Sequence, residues 1–233
     1  MVGEQHLLAD LGNQRLKIAD ASLSVVHSFA WREASECQRL ANYLISESVR
    51  GVTLASSSVQ GCERLLDFGL HAVEVSMVQP EQVPLQIKSI GTGIDRLLAS
   101  WLVHHRTQSA VVVADCGTAL TLDVVNAEGC FLGGAIGAGL GLQERALAQA
   151  CPHLDAPNEQ RTGIPADTAS AVAAGTRRAF AHGITALATE FLHQQTEAQC
   201  FLTGGDAKRL LALMPGWKLE ENLVLQALAA LHR

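Results

Sequence analysis

The chain carries one short phrase twice. Asp10-Leu11-Gly12-Asn13-Gln14-Arg15-Leu16-Lys17 is echoed by Asp115-Cys116-Gly117-Thr118-Ala119-Leu120-Thr121-Leu122-Asp123. Each copy follows a short apolar run and precedes another. Each therefore predicts a strand ending on a carboxylate, a glycine turn with a small polar side chain, and a returning strand. Such a turn sets a carboxylate beside backbone N–H groups that can approach phosphate. A lone D-x-G often does no more than close a hairpin. Two copies in the same context, opening the two halves of one chain, imply duplicated architecture and a nucleotide gripped from both sides.

With 233 residues and 48% hydrophobic content, the chain can bury a substantial core, as one large domain or two compact lobes. A net charge of -6 with 17% charged residues gives no broad basic face for nucleic acid, so any anionic ligand is held by local groups. The six cysteines, Cys37, Cys62, Cys116, Cys130, Cys151 and Cys200, are scattered without C-x-x-C spacing, which suits reduced thiols in the cytoplasm. Residues 1–11 lack a signal-peptide pattern and no stretch reaches membrane-span length, so we expect a cytoplasmic protein with no membrane partner.

Residues 7–10, 16–19 and 23–29 read as a three-strand meander, followed by a helix over 36–48, a buried strand over 52–55 and a helix over 61–68. Weak strand signals at 73–78 and 85–87 are interrupted by Pro80 and Pro84, and a helix follows over 94–105. The meander restarts with strands over 111–114, 120–125 and 131–136, then a helix over 139–150 and a loop over 151–165. A long helical tract from Asp167 to Gln195 is capped by Asp167 or Thr168, and Gly175, Ala179 and Gly183 form a bare stripe along it. A strand over 200–203, a helix over 207–213, a strand over 217–219 and a helix over 221–231 complete an α/β pattern.

Three groups carry chemistry. In the first turn, Gly12 allows close backbone approach, Asn13 offers neutral hydrogen bonds and Lys17 offers a charge for phosphate. In the second, Asp115 can hold a cation while Gly117 and Thr118 address phosphate. Gly91-Thr92-Gly93-Ile94-Asp95-Arg96 is a glycine-rich lead into a helix. There a carboxylate can take a proton from a hydroxyl, while the adjacent guanidinium binds a carboxylate or phosphate. The same pair also reads as a helix-dipole carboxylate and a solvated arginine. The nine histidines show no metal-ligand spacing.

Taken in order, D-x-G-N at 10–13, G-x-D-R at 93–96, D-x-G-T-A-x-T-x-D at 115–123 and G-G-x-I at 133–136 resemble the type III pantothenate kinase family, with Thr168 and Thr203-Gly204-Gly205 following. The resemblance implies an α/β fold of two duplicated ribonuclease-H-like lobes, the actin-like ATPase fold, with the active site in the cleft between them. We expect lobes at 1–108 and 109–233, dimerisation helices in the second, and a homodimer. It further implies ATP-dependent phosphorylation of pantothenate to 4′-phosphopantothenate, the first step of coenzyme A biosynthesis, with Mg2+ and a monovalent cation, K+ or NH4+. By position, Asp95 resembles the general base, and Gly93, Ile94, Asp95 and Arg96 the pantothenate-binding segment. Asp10, Leu11, Gly12, Asn13, Gln14, Arg15, Leu16, Lys17 and Thr118 correspond to ATP contacts, Asp115 to the monovalent-cation ligand, and Thr168 to a substrate contact at the dimer interface.

The chain departs from the family pattern in three places. Gln14 stands where D-x-G-N-T has threonine, Ala138-Gly139 replaces a proline-glycine pair, and the tyrosine usually preceding G-x-D-R has no counterpart among residues 78–90. Two other readings follow from these departures: a nucleotide-binding regulatory homologue, and a kinase for another small hydroxy acid.

Overall fold

The structure, a computed structural model, describes residues 5–68, 70–158, 163–192 and 198–231. These form two compact units, residues 5–105 with 222–231 and residues 106–221. In the first, β1 (Gln5–Leu11), β2 (Leu16–Ala19) and β3 (Val26–Phe29) make an antiparallel meander. Helix α1 (Ala34–Ser46) leads to β4 (Val49–Ser56), and α2 (Val59–Asp67) to β5 (Glu74–Met77). The sheet order is β3-β2-β1-β4-β5, with β4 parallel to both β1 and β5. A two-residue strand, β6 (Gln86–Ile87), and α3 (Ile94–Thr107) follow, and the boundary between the units falls within α3.

The second unit repeats the plan. β7 (Val111–Cys116), β8 (Ala119–Val125) and β9 (Cys130–Ala138) form an antiparallel meander, followed by α4 (Leu140–Ala150), α5 (Thr168–Ala173) and α6 (Ala179–Phe191). β10 (Gln199–Thr203), α7 (Ala207–Leu210) and β11 (Trp217–Leu219) complete it, and its own strands run β9-β8-β7-β10-β11. β10 is parallel to β7 and to β11. The duplication read from the two turns is thus a duplication of sheet order and strand direction.

The cores explain why these segments adopt these forms. Leu7, Leu8 and Ala9 on β1 and Val111, Val112, Val113 and Ala114 on β7 are all buried, as expected of central strands covered on both faces. On α1 the buried residues are Cys37, Leu40 and Leu44, spaced to make one apolar face. The hydroxyl of Ser58 accepts the Gly61 N–H at 3.0 Å and starts α2. Asp167 caps α5, accepting the Ser170 N–H at 2.8 Å, which settles the choice between Asp167 and Thr168.

Several boundaries differ from the expectation. β3 begins at Val26 rather than at residue 23, because the Asp20 carboxylate accepts both the Ser22 N–H and its hydroxyl, and Leu23 takes a φ of 57°. The long helical tract runs on from α5 to α6 through a π turn, Ala174–Arg178, where an unmodified α-helix was expected. The expected helix end at Gln195 and residues 159–162 of the preceding loop lie outside the described residues. The final helix, α8 (Leu223–Leu231), was expected with the second lobe; it packs with the first unit, against β1, β2 and β4, where Leu223, Leu225 and Leu228 are buried. Among the described residues no helix is long and apolar enough to cross a membrane.

Candidate active site

The first turn closes the β1–β2 hairpin, with the Gly12 N–H donating to the Arg15 carbonyl at 3.0 Å. Strand register sets Asp10 opposite Lys17 on one side and Ala55 on the other, and Leu11 opposite Leu16. Leu11 and Leu16 are core side chains, 0% and 1% exposed, so they offer a ligand only their main chain. Asn13, Gln14 and Arg15 are exposed at the tip. Arg15 donates to the Ser28 hydroxyl at 2.7 Å, and Lys17 Nζ donates to Asn222 Oδ1 at 3.0 Å, just ahead of α8. A methyl group on Gly12 would meet only the Arg15 carbonyl, at an ordinary 3.6 Å, so the fold itself does not demand glycine here.

The second turn is built alike. The Gly117 N–H donates to the Ala119 carbonyl at 3.1 Å, and the Gly139 N–H to the Thr118 carbonyl at 3.0 Å. Asp115, half-buried, sits in register with Thr121 on β8 and Thr203 on β10. Immediately after β10, Gly204 takes a φ of +92°, and any Cβ there would strike Asp115 Oδ1 and come within 2.7 Å of the Cys116 nitrogen. Asp206 then donates its N–H to the Cys116 carbonyl at 2.9 Å, and its carboxylate accepts the Gly141 N–H at the start of α4, at 3.1 Å. Burial pushes the Cys116 thiol up to about 12, and the Asp115 and Asp206 carboxylates push in the same direction. It stays neutral and is no nucleophile.

The 93–96 segment opens α3. Ile94 is buried at 7% exposure, while Asp95 and Arg96 are half-buried. Asp95 Oδ1 accepts the Arg96 N–H at 3.0 Å, so the carboxylate folds over the first helical turn, and a Cβ on Gly93 would collide with that oxygen. Thr168 is exposed as the first residue of α5, beside its capping Asp167. Within the first unit the fold pairs Asp10 with Lys17; within the second it sets Asp115 on the strand that leads into the turn of Thr118.

Two groups escaped the reading of the sequence. Glu144 on α4 accepts Arg209 at 2.8 and 2.7 Å and Arg177 at 2.8 Å, while Arg209 also reaches Asp206 Oδ1 at 2.6 Å and Arg177 the Asn158 carbonyl at 2.9 Å. Burial alone would raise the Glu144 carboxyl, but the two guanidiniums outweigh it and hold it below its ordinary 4.5. The partners lie 33 and 65 residues away, so no local pattern announces them. Trp31 and Arg32, the second group, touch the first turn from the loop after β3. Among the described residues no three His, Cys, Asp or Glu side chains gather to hold a metal ion.

A family model described as type III pantothenate kinase matches residues 6–190. A type III pantothenate kinase from Methylobacillus flagellatus is 35% identical over 175 residues, covering 70% of this chain and 68% of the relative. Another, from Dichelobacter nodosus, is 26% identical over 242 residues, covering 97% and 96%. Among solved structures, a Campylobacter jejuni protein assigned to the Baf family of transcriptional activators superposes with a TM-score of 0.69 at 19% identity, covering 97% of this chain and 96% of that one. An archaeal actin homologue does so at 0.51 and 11% identity, covering 98% and 100%. At these identities the structural likenesses speak for the two-lobed actin-like fold alone.

Proposed function

Because the chain belongs to the type III pantothenate kinase family, we propose that it transfers the γ-phosphoryl group of ATP to the primary hydroxyl of pantothenate, giving 4′-phosphopantothenate at the first step of coenzyme A biosynthesis. The observation that carries this reading is the extent of the family match, residues 6–190, which spans both turns, the 93–96 segment and Thr168. Phosphoryl transfer asks little covalent chemistry of the protein. It needs the hydroxyl, phosphorus and leaving oxygen nearly in line, and charge placed on the phosphates.

In this reading the turns at 10–17 and Thr118 hold ATP through backbone and small polar groups. Asp95 receives the hydroxyl proton, with its carboxylate fixed by the Arg96 N–H. Arg96 and the Gly93 and Ile94 main chain bind the carboxylated substrate, with Thr168 as a further contact. Mg2+ supplies charge neutralisation on the phosphates when bound. Asp115 is the ligand for K+ or NH4+, supported by the tight approach of Gly204 to its carboxylate. The working species is a homodimer, for which the exposed Gly175, Ala179 and Gly183 on one side of the helical tract leave room. Six free thiols suit a reducing compartment, which we take to be the cytoplasm.

Asp95→Asn tests the assignment. The variant keeps the acceptor for the Arg96 N–H and loses the base, so kcat should fall about 10²- to 10⁴-fold while ATP binding stays measurable. An unchanged kcat removes Asp95 from proton transfer.

A further inference from the structure

The loop after β3 sends two side chains into the first turn. Trp31, 1% exposed, donates its indole N–H to the Gly12 carbonyl at 3.0 Å. Arg32 lies 4.4 Å over the Trp31 ring and donates to the Asn13 carbonyl at 3.2 Å and to Asn13 Oδ1 at 3.1 Å. Arg64 on α2 holds the loop from behind, donating to the Trp31 carbonyl at 2.9 Å and the Arg32 carbonyl at 3.2 Å. Two successive carbonyls of the turn are thus drawn to one side by side chains.

In a trans peptide the carbonyl and the following N–H point in opposite directions, and no cis peptide occurs among the described residues. Drawing the Gly12 carbonyl toward Trp31 therefore turns the Asn13 N–H away from it. Drawing the Asn13 carbonyl toward Arg32 does the same to the Gln14 N–H. Neither N–H has an acceptor among the described residues. Arg32 also occupies Asn13 Oδ1, which leaves the amide NH2 as a further donor of the turn. Three donors of one turn are thus left open to anionic oxygens, the two N–H groups on the side turned away from Trp31 and Arg32.

We infer that Trp31 and Arg32 are positioning residues for nucleotide phosphate: they act through the first turn, aiming the Asn13 and Gln14 N–H groups at it. This rests on the proposed use of ATP. It also bears on Gln14, which stands where the family pattern has threonine; here the position contributes through an N–H oriented by Arg32 rather than through a hydroxyl.

The test compares full-length wild type with Arg32→Ala, Arg32→Lys and Trp31→Phe, measuring KM for each substrate and equilibrium binding of ATP and of adenosine. Arg32→Ala should raise the ATP KM and Kd about tenfold, with the pantothenate KM and adenosine affinity unchanged within about twofold. Arg32→Lys should recover only part of this, because one ammonium cannot reproduce the paired contact to Asn13. Trp31→Phe keeps the buried ring, loses the indole N–H and should shift ATP in the same direction. Thermal unfolding without nucleotide separates folding from binding; Arg32 is exposed, so its variants should melt with wild type. An unchanged ATP Kd in Arg32→Ala, or an equal loss of adenosine binding, overturns the inference while leaving the kinase reading intact. A wild type that neither binds nor consumes ATP overturns both.

Discussion

Glu144 shows how a single carboxyl can tie separate segments together. Its charge is held by Arg209 and Arg177, and through Arg209 it reaches Asp206, whose N–H and carboxylate brace Cys116 and Gly141 beside the second turn. Because the folded carboxyl ionises below its ordinary 4.5, its contribution is complete above that pH and is lost as the pH falls through the lowered value. Glu144→Gln should cost about 1–2 kcal/mol at neutral pH, discounted for the partly exposed Arg209, and the gap between variant and wild type should close on acidification. Urea midpoints followed from neutral pH down through the lowered carboxyl range would show this; a gap independent of pH would mean that Glu144 acts by packing. Asp115→Asn addresses the other carboxylate. It should flatten the dependence of turnover on K+ or NH4+ while leaving the fold intact, and a variant that keeps the wild-type cation profile would rule Asp115 out as the ligand. The placement of Asp10 and Asp115 at the ends of strands and of Asp95 at the start of a helix was legible because each sits in a short phrase. The pairing of Glu144, Arg177 and Arg209 was not, because the contacts that give them meaning exist only after folding.

Among the elements, the turn after β10 is the most constrained. Gly204 combines a φ of +92° with close packing on Asp115 and Cys116, whereas Gly205 next to it has no atom within 4 Å of a would-be Cβ and no positive φ. Gly204→Ala should therefore destabilise by about 1–3 kcal/mol and disturb the cation dependence, while Gly205→Ala should be nearly neutral; denaturant titrations of the pair would decide. Equal effects would mean that the approach to Asp115 is not what restricts this turn. The central strands and the capped start of α5 could be read from apolar runs and from Asp167, since those signals are local, whereas α2 begins at Val59 behind its Ser58 cap, two residues before the expected start. The π turn at Ala174–Arg178 could not, because a run such as Ala-Ala-Gly-Thr-Arg-Arg is compatible with an unbroken α-helix. Arg177 within it bonds both Glu144 and the Asn158 carbonyl, contacts that no helical spacing foretells. The placement of α8 against β1, β2 and β4 likewise depends on a strand neighbourhood assembled from distant segments.

At the scale of the whole molecule, the same strand order appears in both units, and the two D-x-G turns occupy the same place in each, between the first and second strands of a meander. That repetition made the fold legible from one sequence: a duplicated phrase is evidence about architecture in a way that a single motif is not. Substrate identity entered by resemblance and by the family match, since composition says nothing of pantothenate. If the chain works as a homodimer, sedimentation should report twice the 24.7 kDa of the single chain, and Gly183→Arg, on the exposed side of α6, should yield monomers; an unaltered dimer would place the contact elsewhere. The central claim is tested most directly by incubating the purified protein with ATP and Mg2+, with and without pantothenate, in potassium and in sodium buffers, and identifying the product by mass. The account predicts ATP consumption that depends on pantothenate, is greater in potassium, and yields 4′-phosphopantothenate. Folded, dimeric protein that forms no such product in any buffer would contradict it.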